Sequence, residues 1–227
     1  MDEVFVAGGT GYLGRPLLER FCQLGYSPKA VARSTSVTKV PSGSEAIVGD
    51  VLNGDSYAEY VPRGSTFVHL VGVAHPAPWK AAQFRAIDLV SFKQSLAAAK
   101  QAGVSHFVFV SVAHPAPAMK AYVQVRTECE AMLRESGLNA TILQPWYVLG
   151  PGHRWPWLLV PLYRFLELLP ATRPGALRLG LIARQEMLNA LVHSIQSPAH
   201  GIRVLGVPEM RALSRSFQPS TSPLAQH

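Results

Sequence analysis

Short apolar runs alternate with stretches of helical periodicity along the first two thirds of the chain. The runs predict six strands at Val4–Ala7, Lys29–Ala32, Ala46–Val48, Phe67–Val73, Phe107–Val110 and Thr141–Leu143. Apolar residues at helical spacing predict helices at Leu13–Leu24, Asp55–Val61, Trp79–Ala102 and Tyr122–Ser136. Strands that are apolar throughout and separated by helices are typical of a parallel sheet covered on both faces. We therefore predict an α/β fold, a Rossmann-type doubly wound sheet with its ligand crevice at the carboxyl ends of the strands.

Glycines recur at every third residue between the first strand and the first helix, at Gly8, Gly11 and Gly14. Here a first glycine permits a tight turn, a second lets the backbone approach a pyrophosphate, and a third lets the helix pack against the sheet. The helix N-terminus adds free N–H groups and a partial positive charge. This strand-turn-helix context predicts a dinucleotide site, and a glycine turn without a ligand is the alternative.

The end of the second strand indicates which dinucleotide the site prefers. An NAD-selective site usually has an acidic residue there, which bonds the ribose 2′-hydroxyl. This chain instead has Ala32-Arg33-Ser34. Because a guanidinium pairs well with a phosphate, Arg33 favours NADP, with NAD the less favoured cofactor. The alternative is that Arg33 is simply a solvated surface residue.

The strand-helix pattern becomes irregular after Gly150, where Pro, Trp, Arg and Gly are frequent as far as Arg184. From Ser214 onward the chain is rich in Ser, Pro, Thr and Gln. We therefore expect an NAD(P)-binding Rossmann core at 1–150, a small C-terminal substrate lobe with closing core elements at 151–213, and a loosely held tail at 214–227.

Composition and charge narrow the class of protein. The chain has 227 residues, of which 48% are hydrophobic and 15% charged, as expected for a globular protein. Its two cysteines, Cys22 and Cys129, lack the spacing of a disulfide framework or a zinc site. No signal peptide is evident, and the longest apolar stretch, Trp155–Pro170, is broken by charges and prolines. We expect a cytoplasmic protein with no transmembrane segment.

The formal net charge of +7 suits a phosphorylated small molecule, a membrane surface or a nucleic acid. The basic residues are spread along the chain without a dense run or an aromatic-basic RNA motif, so we predict no nucleic-acid partner.

These features resemble the short-chain dehydrogenase/reductase superfamily, in particular its extended and atypical branches, which include epimerase/dehydratase-like and NmrA-like proteins. The resemblance runs from Val4 to about Val207. Its segments are the glycine turn Gly8–Gly14, Gly49–Val51 beside the adenine, Val68–Gly72 beside the cofactor, Phe107–Ser111 followed by Tyr122, and Thr141–Gly150 beside the nicotinamide.

The resemblance, together with Arg33, assigns site residues to this sequence. The cofactor contacts it implies are Gly8, Thr10, Gly11, Tyr12, Leu13, Gly14, Arg33, Asp50, Val51, Val71, Gly72 and Pro145. The catalytic residues it implies are Ser111, which would orient a substrate carbonyl, Tyr122, which would act as acid or base, and Arg126. The two long helices at Trp79–Ala102 and Tyr122–Ser136 pair between subunits in many such proteins, which makes a homodimer an open alternative.

The chain departs from the family pattern at one catalytic position. The family motif is Tyr-x-x-x-Lys, and this chain has Tyr122-Val123-Gln124-Val125-Arg126. The spacing keeps both side chains on one helix face. Arg126 supplies a positive charge but does not release its proton, because its pKa exceeds about 12. A lysine-dependent proton relay is therefore in question, whereas electrostatic activation of Tyr122 is not excluded.

A hexapeptide, Val-Ala-His-Pro-Ala-Pro, occurs at 73–78 and again at 112–117, after the fourth and fifth strands. In this fold both loops open at the crevice, so His75 and His114 are candidate substrate contacts, as is Trp146 in the loop after the sixth strand. A metal is not predicted, because the two histidines lack a third ligand of characteristic spacing, and His153 is only a loose candidate. The alternative is a pair of partly exposed loop histidines.

The segment around Trp155, Trp157, Tyr163 and Phe165 reads as an apolar, aromatic lid over a small-molecule substrate that is itself apolar or aromatic. Ordinary packing of the smaller lobe and contact with a membrane surface are the alternatives.

The leading functional hypothesis is an NADP-dependent oxidoreductase acting on a carbonyl. A non-catalytic NADP-binding sensor or assembly protein is the second, and a nucleotide-sugar epimerase or dehydratase is the third, because the chain has little room for the larger C-terminal domain of those enzymes.

Overall fold

The computed structural model describes residues 3–116, 118–151 and 173–216. The strands are β1 Val4–Ala7, β2 Lys29–Ala32, β3 Glu45–Val48, β4 Thr66–His69, β5 His106–Val110, β6 Ala140–Leu143, β7 Tyr147–Leu149, β8 Leu181–Ala183 and β9 Ile202–Leu205. Among the described residues, seven strands form one parallel sheet in the order β3-β2-β1-β4-β5-β6-β9, and β7 and β8 form a separate parallel pair. The predicted doubly wound parallel sheet is confirmed.

Helices connect the strands and cover both faces of the sheet. They are α1 Gly14–Gln23, α2 Val90–Ala102, α3 Lys120–Glu135, α4 Arg173–Arg178, α5 Arg184–Gln196 and α6 Val207–Ser216. A 3₁₀ turn at Pro78–Lys80, a helical turn at Ala81–Gln83 and a π-helical segment at Phe84–Leu89 lead directly into α2. Further 3₁₀ turns lie at Ser34–Lys39, Gly54–Ser56 and Ala58–Tyr60.

Several ends differ by one or two residues, the helix predicted at Trp79–Ala102 begins with 3₁₀ and π-helical turns, and two further predictions differ from the structure. The fourth strand ends at His69 rather than Val73, because its last sheet hydrogen bond runs from the Leu70 N–H to the carbonyl of Ala7 (2.9 Å) and the chain then leaves the sheet. The short helix predicted at Asp55–Val61 is a pair of 3₁₀ turns instead. The position at which β4 ends affects the candidate site, because the segment after His69 borders the crevice.

One face of the sheet carries an aromatic ladder. Phe5, Phe67 and Phe107 are register partners on adjacent strands, and neighbouring ring centroids are 5.3 Å apart. All three side chains are fully buried under α2 and α3. Paired aromatic rings on a pleated surface stabilise a sheet beyond the burial of their area, so this ladder fixes the register of the three central strands.

The opposite face is covered by α1, α5 and α6, whose apolar side chains form a second core with the alternate strand residues. Leu17 and Leu18 of α1 and Met187 and Leu191 of α5 are fully buried in it. The sheet is completed by β9, which pairs with β6. Residues 184–210 therefore contribute to the main core of the molecule. None of the helices in the described ranges is long and apolar enough to cross a membrane.

Two histidines are buried inside the sheet layers. His69 lies beneath Phe92, and its Nδ1 lies 2.9 Å from Ser95 Oγ. His106 lies on the other face, with Nε2 3.0 Å from Thr141 Oγ1. Burial lowers the pKa of His69 to about 3 and that of His106 to about 4. Both imidazoles are therefore neutral in the folded protein at pH 7.

We expect the free energy of unfolding to fall as the pH drops from about 6.5 towards 4. In this window the unfolded chain protonates both imidazoles, whose ordinary pKa is about 6.5, and the folded chain protonates neither. The stability that the two neutral imidazoles contribute is present above pH 6.5 and is lost on acidification, with a limiting slope of about 2.7 kcal/mol per pH unit near pH 5.

Urea unfolding at pH 7, 6 and 5 measures this slope. His106→Gln should roughly halve the slope between pH 6 and 5, and the exposed His200→Gln should not change it. Equal slopes in all three proteins would contradict the prediction.

Candidate functional site

The glycine turn brings the start of α1 against the end of β1. Gly8 has a φ of +91°, and the N–H of Gly11 donates to its carbonyl at 3.0 Å. A Cβ on Gly8 would lie 2.9 Å from the carbonyl carbon of Leu70, and one on Gly14 would collide with the Gly8 carbonyl oxygen. No side chain caps the N-terminus of α1, where the N–H of Arg15 donates to the Gly11 carbonyl at 3.1 Å and Pro16 has no N–H. This is the cradle that a pyrophosphate needs.

The other residues of the turn have distinct surroundings. Thr10 is half-buried, and Leu13 packs against the second core. The ring of Tyr12 lies under the guanidinium of Arg184, 5.4 Å from its Cζ, and a Cβ on Gly150 would collide with the Tyr12 hydroxyl. Tyr12 therefore links the glycine turn to the residue that follows β7 and to the start of α5.

Arg33 is exposed directly after β2, and its carbonyl accepts hydrogen bonds from the N–H (2.8 Å) and hydroxyl (3.1 Å) of Ser36. These bonds begin the 3₁₀ turn Ser34–Lys39. A cleft of about 430 Å³ lies between this turn and α1, and Arg15 and Lys39 are among its lining residues. Arg33 and Lys39 therefore carry positive charge on the segment that follows β2, whereas Arg15 is paired with Glu19 of the same cleft at 3.0 Å.

The segment after β3 is held by its own hydrogen bonds. The Asp50 carboxylate accepts the N–H of Leu52 at 2.9 Å, and the N–H of Asp50 donates to the hydroxyl of Ser56 at 2.9 Å. Val51 is half-buried against the first core. The predicted adenine contacts thus lie in a closed turn at the carboxyl end of β3.

The crevice contains a buried positive charge, the guanidinium of Arg126 on α3. Its Nη2 donates to Asp88 Oδ1 at 2.6 Å and to the Val71 carbonyl at 3.3 Å, and Nη1 donates to the Val110 carbonyl at 3.1 Å. A Cβ on Gly72 would lie 2.5 Å from Nη2, so this glycine leaves room for the guanidinium. The ends of β4 and β5, the π-helical segment and α3 therefore meet at one ion pair.

Asp88 is the partner that sequence reasoning did not identify. Its side chain is fully buried, and Oδ2 accepts the N–H of Val73 at 3.0 Å. Burial raises the pKa of the Asp88 carboxyl from its ordinary value, and the guanidinium of Arg126 is the main influence in the opposite direction. The guanidinium of Arg126 keeps its proton and donates directly to Asp88. It therefore favours the ionised carboxylate, so the contact is an ion pair.

Tyr122 lies at the beginning of α3, with its ring between two neighbours. The Cζ of Arg126 is 5.2 Å from the ring centroid, and the ring of Phe84 meets it edge-on with centroids 5.1 Å apart. A cation over an aromatic face is attracted by the negative ring face. The family spacing therefore keeps Tyr122 and Arg126 in contact, although Arg126 is itself bound to Asp88.

Ser111, at the end of β5, belongs to a second buried polar group. Its hydroxyl donates to Glu130 Oε1 at 2.5 Å, and the Gln144 amide donates to both oxygens of the same carboxylate at 2.9 and 3.0 Å. His114 Nε2 lies 3.4 Å from Glu130 and 3.1 Å from Gln144 Nε2. Arg134, one turn further along α3, is 3.7 Å from the carboxylate. We call Ser111, Glu130, Gln144 and His114 the serine cluster.

The two copies of the hexapeptide place their histidines differently. His114 is half-buried in the serine cluster, whereas His75 is exposed and has a φ of +49°. Pro145 is buried, and its carbonyl accepts the N–H of Ala113 at 3.0 Å. Trp146 is half-buried next to β7. Of the candidate substrate residues, the structure brings His114 to the serine cluster and leaves His75 at the surface.

Glu130 and Gln144 were not among the predicted site residues. Glu130 follows Arg126 by four residues and Tyr122 by eight, so the helical period places all three on one face of α3, and this spacing was the available signal. The aromatic lid, Trp155, Trp157, Tyr163 and Phe165, and the candidate ligand His153 lie outside the described residues. Within the described part of the chain, no three His, Cys, Asp or Glu side chains are grouped as metal ligands.

Comparison with known proteins agrees with this geometry. Residues 8–152 match a family model described as NAD(P)H-binding. A ceramide reductase of Caulobacter vibrioides is 23% identical over 214 residues, which cover 93% of this chain and 65% of the relative. The photosystem II assembly factor Ycf39 of Cyanophora paradoxa is 26% identical over 144 residues, 62% of this chain and 44% of the relative. This chain thus spans less than two thirds of the length of these curated relatives.

A solved structure confirms the fold. A short-chain dehydrogenase/reductase superfamily protein from Agrobacterium tumefaciens with bound NAD matches with a TM-score of 0.66 at 17% identity, over 90% of this chain and 77% of that chain. The predicted Rossmann-type fold is therefore confirmed, and the family match confirms the prediction of an NAD(P)-binding domain.

We expect Asp88→Asn to lower the free energy of unfolding by about 3–5 kcal/mol, because it leaves the buried guanidinium of Arg126 without a counter-charge. Glu128→Gln is the matched control, since it removes the exposed Arg85–Glu128 pair and should cost less than about 1 kcal/mol. Urea unfolding at pH 7 measures both losses. A loss for Asp88→Asn no larger than that of the control would mean that the ion pair does not hold the site.

Proposed function

The chain belongs to the NAD(P)H-binding family, and we propose that it is an NADP-dependent oxidoreductase that acts on a carbonyl-type small molecule. The observation that carries the proposal is the glycine cradle at the start of α1, followed by a β2 end that has an arginine and no acid. Among the relatives, the ceramide reductase is by its name a reductase of a largely apolar molecule, which supports an apolar substrate.

The residues present fit the cofactor. The cradle of Gly8 and Gly14 is closed to any side chain, as a site for a pyrophosphate must be. Arg33, with Lys39 at the neighbouring cleft, offers positive charge to a 2′-phosphate. NADP is therefore proposed as the cofactor, with NAD less favoured. The contacts proposed beyond the turn are Asp50 and Val51 at the adenine end, and Val71, Gly72 and Pro145 at the nicotinamide end.

When bound, the nicotinamide supplies or accepts a hydride, and the chain provides placement and charge. Tyr122 is proposed as the proton donor to the carbonyl oxygen during reduction. Arg126, whose Cζ lies 5.2 Å from the centroid of the Tyr122 ring, holds this ring in position and does not take part in proton transfer. Ser111 orients the substrate oxygen. For this the Ser111 hydroxyl turns its hydrogen from Glu130 to the substrate, because a carbonyl oxygen can only accept a hydrogen bond.

The second candidate is a protein that binds NADP without turnover, as a redox-state sensor or an assembly protein. The observation that favours it is the ion pair of Arg126 with Asp88, which occupies the guanidinium in place of a lysine that contacts the ribose. The assembly factor among the relatives is consistent with this class of function. The two candidates share the dinucleotide site and differ in the role of Tyr122.

We expect calorimetry to show NADPH binding at least tenfold tighter than NADH, a difference of about 1.4 kcal/mol. Arg33→Ala should remove most of this preference, because the 2′-phosphate loses its partner. Arg63→Ala is the matched control. Arg63 is exposed just before β4, at the amino ends of the strands, whereas Arg33 lies at the carboxyl end of β2, so the control should leave the preference intact. If neither nucleotide binds, the cofactor assignment is wrong. If NADPH and NADH bind alike, the preference for NADP is wrong.

We expect turnover of NADPH with members of a panel of apolar ketones, quinones and aryl ketones. Tyr122→Phe should lower the turnover by about 10²–10⁴-fold and change NADPH affinity by less than threefold, because a positioned proton donor contributes on that scale. The exposed Tyr60→Phe is the control and should keep the wild-type rate. Tight NADPH binding without turnover by any carbonyl would instead favour the sensor.

A further inference from the structure

An apolar groove lies between the ends of the two hexapeptide loops. Its volume is about 400 Å³, and its lining includes Pro78, Phe84, Ala118, Met119, Lys120 and Tyr122. We call it the repeat groove. Pro78 closes the first hexapeptide, and 118–120 follow the second. Both copies continue into apolar residues and then a lysine, Trp79-Lys80 in the first and Ala118-Met119-Lys120 in the second.

The chemistry of the repeat groove is that of an amphiphile site. Phe84 is buried in its wall, Met119 is half-buried, and Lys120 is exposed at its rim. No carboxylate is among the described residues that line it. Apolar walls with a single cation suit an apolar chain that ends in an anionic or strongly polar group. A thioether side chain also adapts readily to the shape of a flexible ligand.

Two further observations set this groove apart from ordinary surface. Trp79, next to Pro78 in the chain, is 83% exposed, far more than the other exposed large apolar side chains of the described residues. An indole left in water to this extent gains from contact with an apolar ligand. Met119 has a φ of +58°, a conformation that costs free energy for a residue with a side chain and is found preferentially at ligand sites.

The groove is continuous with the candidate catalytic residues. Tyr122 lines it directly, and Phe84 of its wall packs on the Tyr122 ring. A single chain seated against Phe84 would hold its polar end near Tyr122 and Lys120, which line the same groove.

We propose that the repeat groove binds the chain of a single-chain amphiphilic substrate, a long-chain acyl or prenyl compound whose carbonyl-bearing polar head lies at Tyr122 and Lys120. The inference rests on the proposed function, because it names the substrate class of that same site. It commits the groove to individual lipid molecules and not to a bilayer surface.

The test uses 11-(dansylamino)undecanoic acid, an anionic single-chain probe whose fluorescence rises in apolar surroundings, below the concentration at which it forms micelles. Wild-type protein should bind one probe saturably with micromolar affinity. Ala118→Glu, a change at an exposed position of the rim, should weaken binding at least tenfold, and Lys120→Ala should weaken it several-fold. The matched control Val204→Glu places the same charge on β9 at the sheet edge and should bind the probe as the wild type does.

NADPH affinity, measured by calorimetry on the same four proteins, separates this inference from the proposed function. If NADPH binds and the probe does not, or if Ala118→Glu binds the probe as well as Val204→Glu does, the inference is overturned and the proposed function stands. If the probe binds and no nucleotide does, the proposed function is wrong, and so is the assignment of the bound amphiphile as its substrate. Co-sedimentation with phosphatidylglycerol vesicles, without binding of the monomeric probe, would assign the face to a membrane and overturn the inference.

Discussion

The buried ion pair between Arg126 and Asp88 is the contact on which the geometry of the crevice depends. A charge removed from water is costly unless it is paired and hydrogen-bonded, and this guanidinium finds its partners on separate elements: Asp88 of the π-helical segment and the carbonyls of Val71 and Val110 after β4 and at the end of β5. These elements can satisfy the charge only when they assemble together. The position of Tyr122, one turn before Arg126 on α3, follows from that assembly.

The same contact explains why arginine suits this position in a way that lysine would not. A guanidinium has a planar fork of donors, so it can bind a carboxylate and two carbonyls at once and still present a flat face to the ring of Tyr122. The fork needs space, and Gly72 provides it. The consequence for chemistry is a positive charge that is fixed in place. Such a charge can favour one protonation state of a neighbour, but it cannot pass a proton along.

Sequence patterns predicted the elements of the fold more accurately than they predicted the residues of the candidate site. The strands β1 and β2 were predicted to the residue, because each is a short buried run with a clear stop after it. The end of β4 was predicted wrongly, because the groups after it are bound by Arg126 and Asp88, 55 and 15 residues away in the chain. Local periodicity carries no information about such contacts. A helical glutamate such as Glu130 is normally read as a solvated residue, and only tertiary packing places it opposite Ser111.

The serine cluster shows why the polar interior of the crevice calls for a functional explanation. Buried polar groups can often be replaced by apolar side chains of similar size at little cost in stability, so stability alone does not require a carboxylate beneath Ser111. Here Glu130 is almost fully buried and accepts bonds from Ser111 and Gln144, while half-buried His114 connects the cluster with the surface. The cluster lies at the carboxyl ends of β5 and β6, on the side of the sheet where this fold places its ligand. We therefore propose that this polar group, whose Glu130 lies two helical turns after Tyr122 on α3, contacts a substrate.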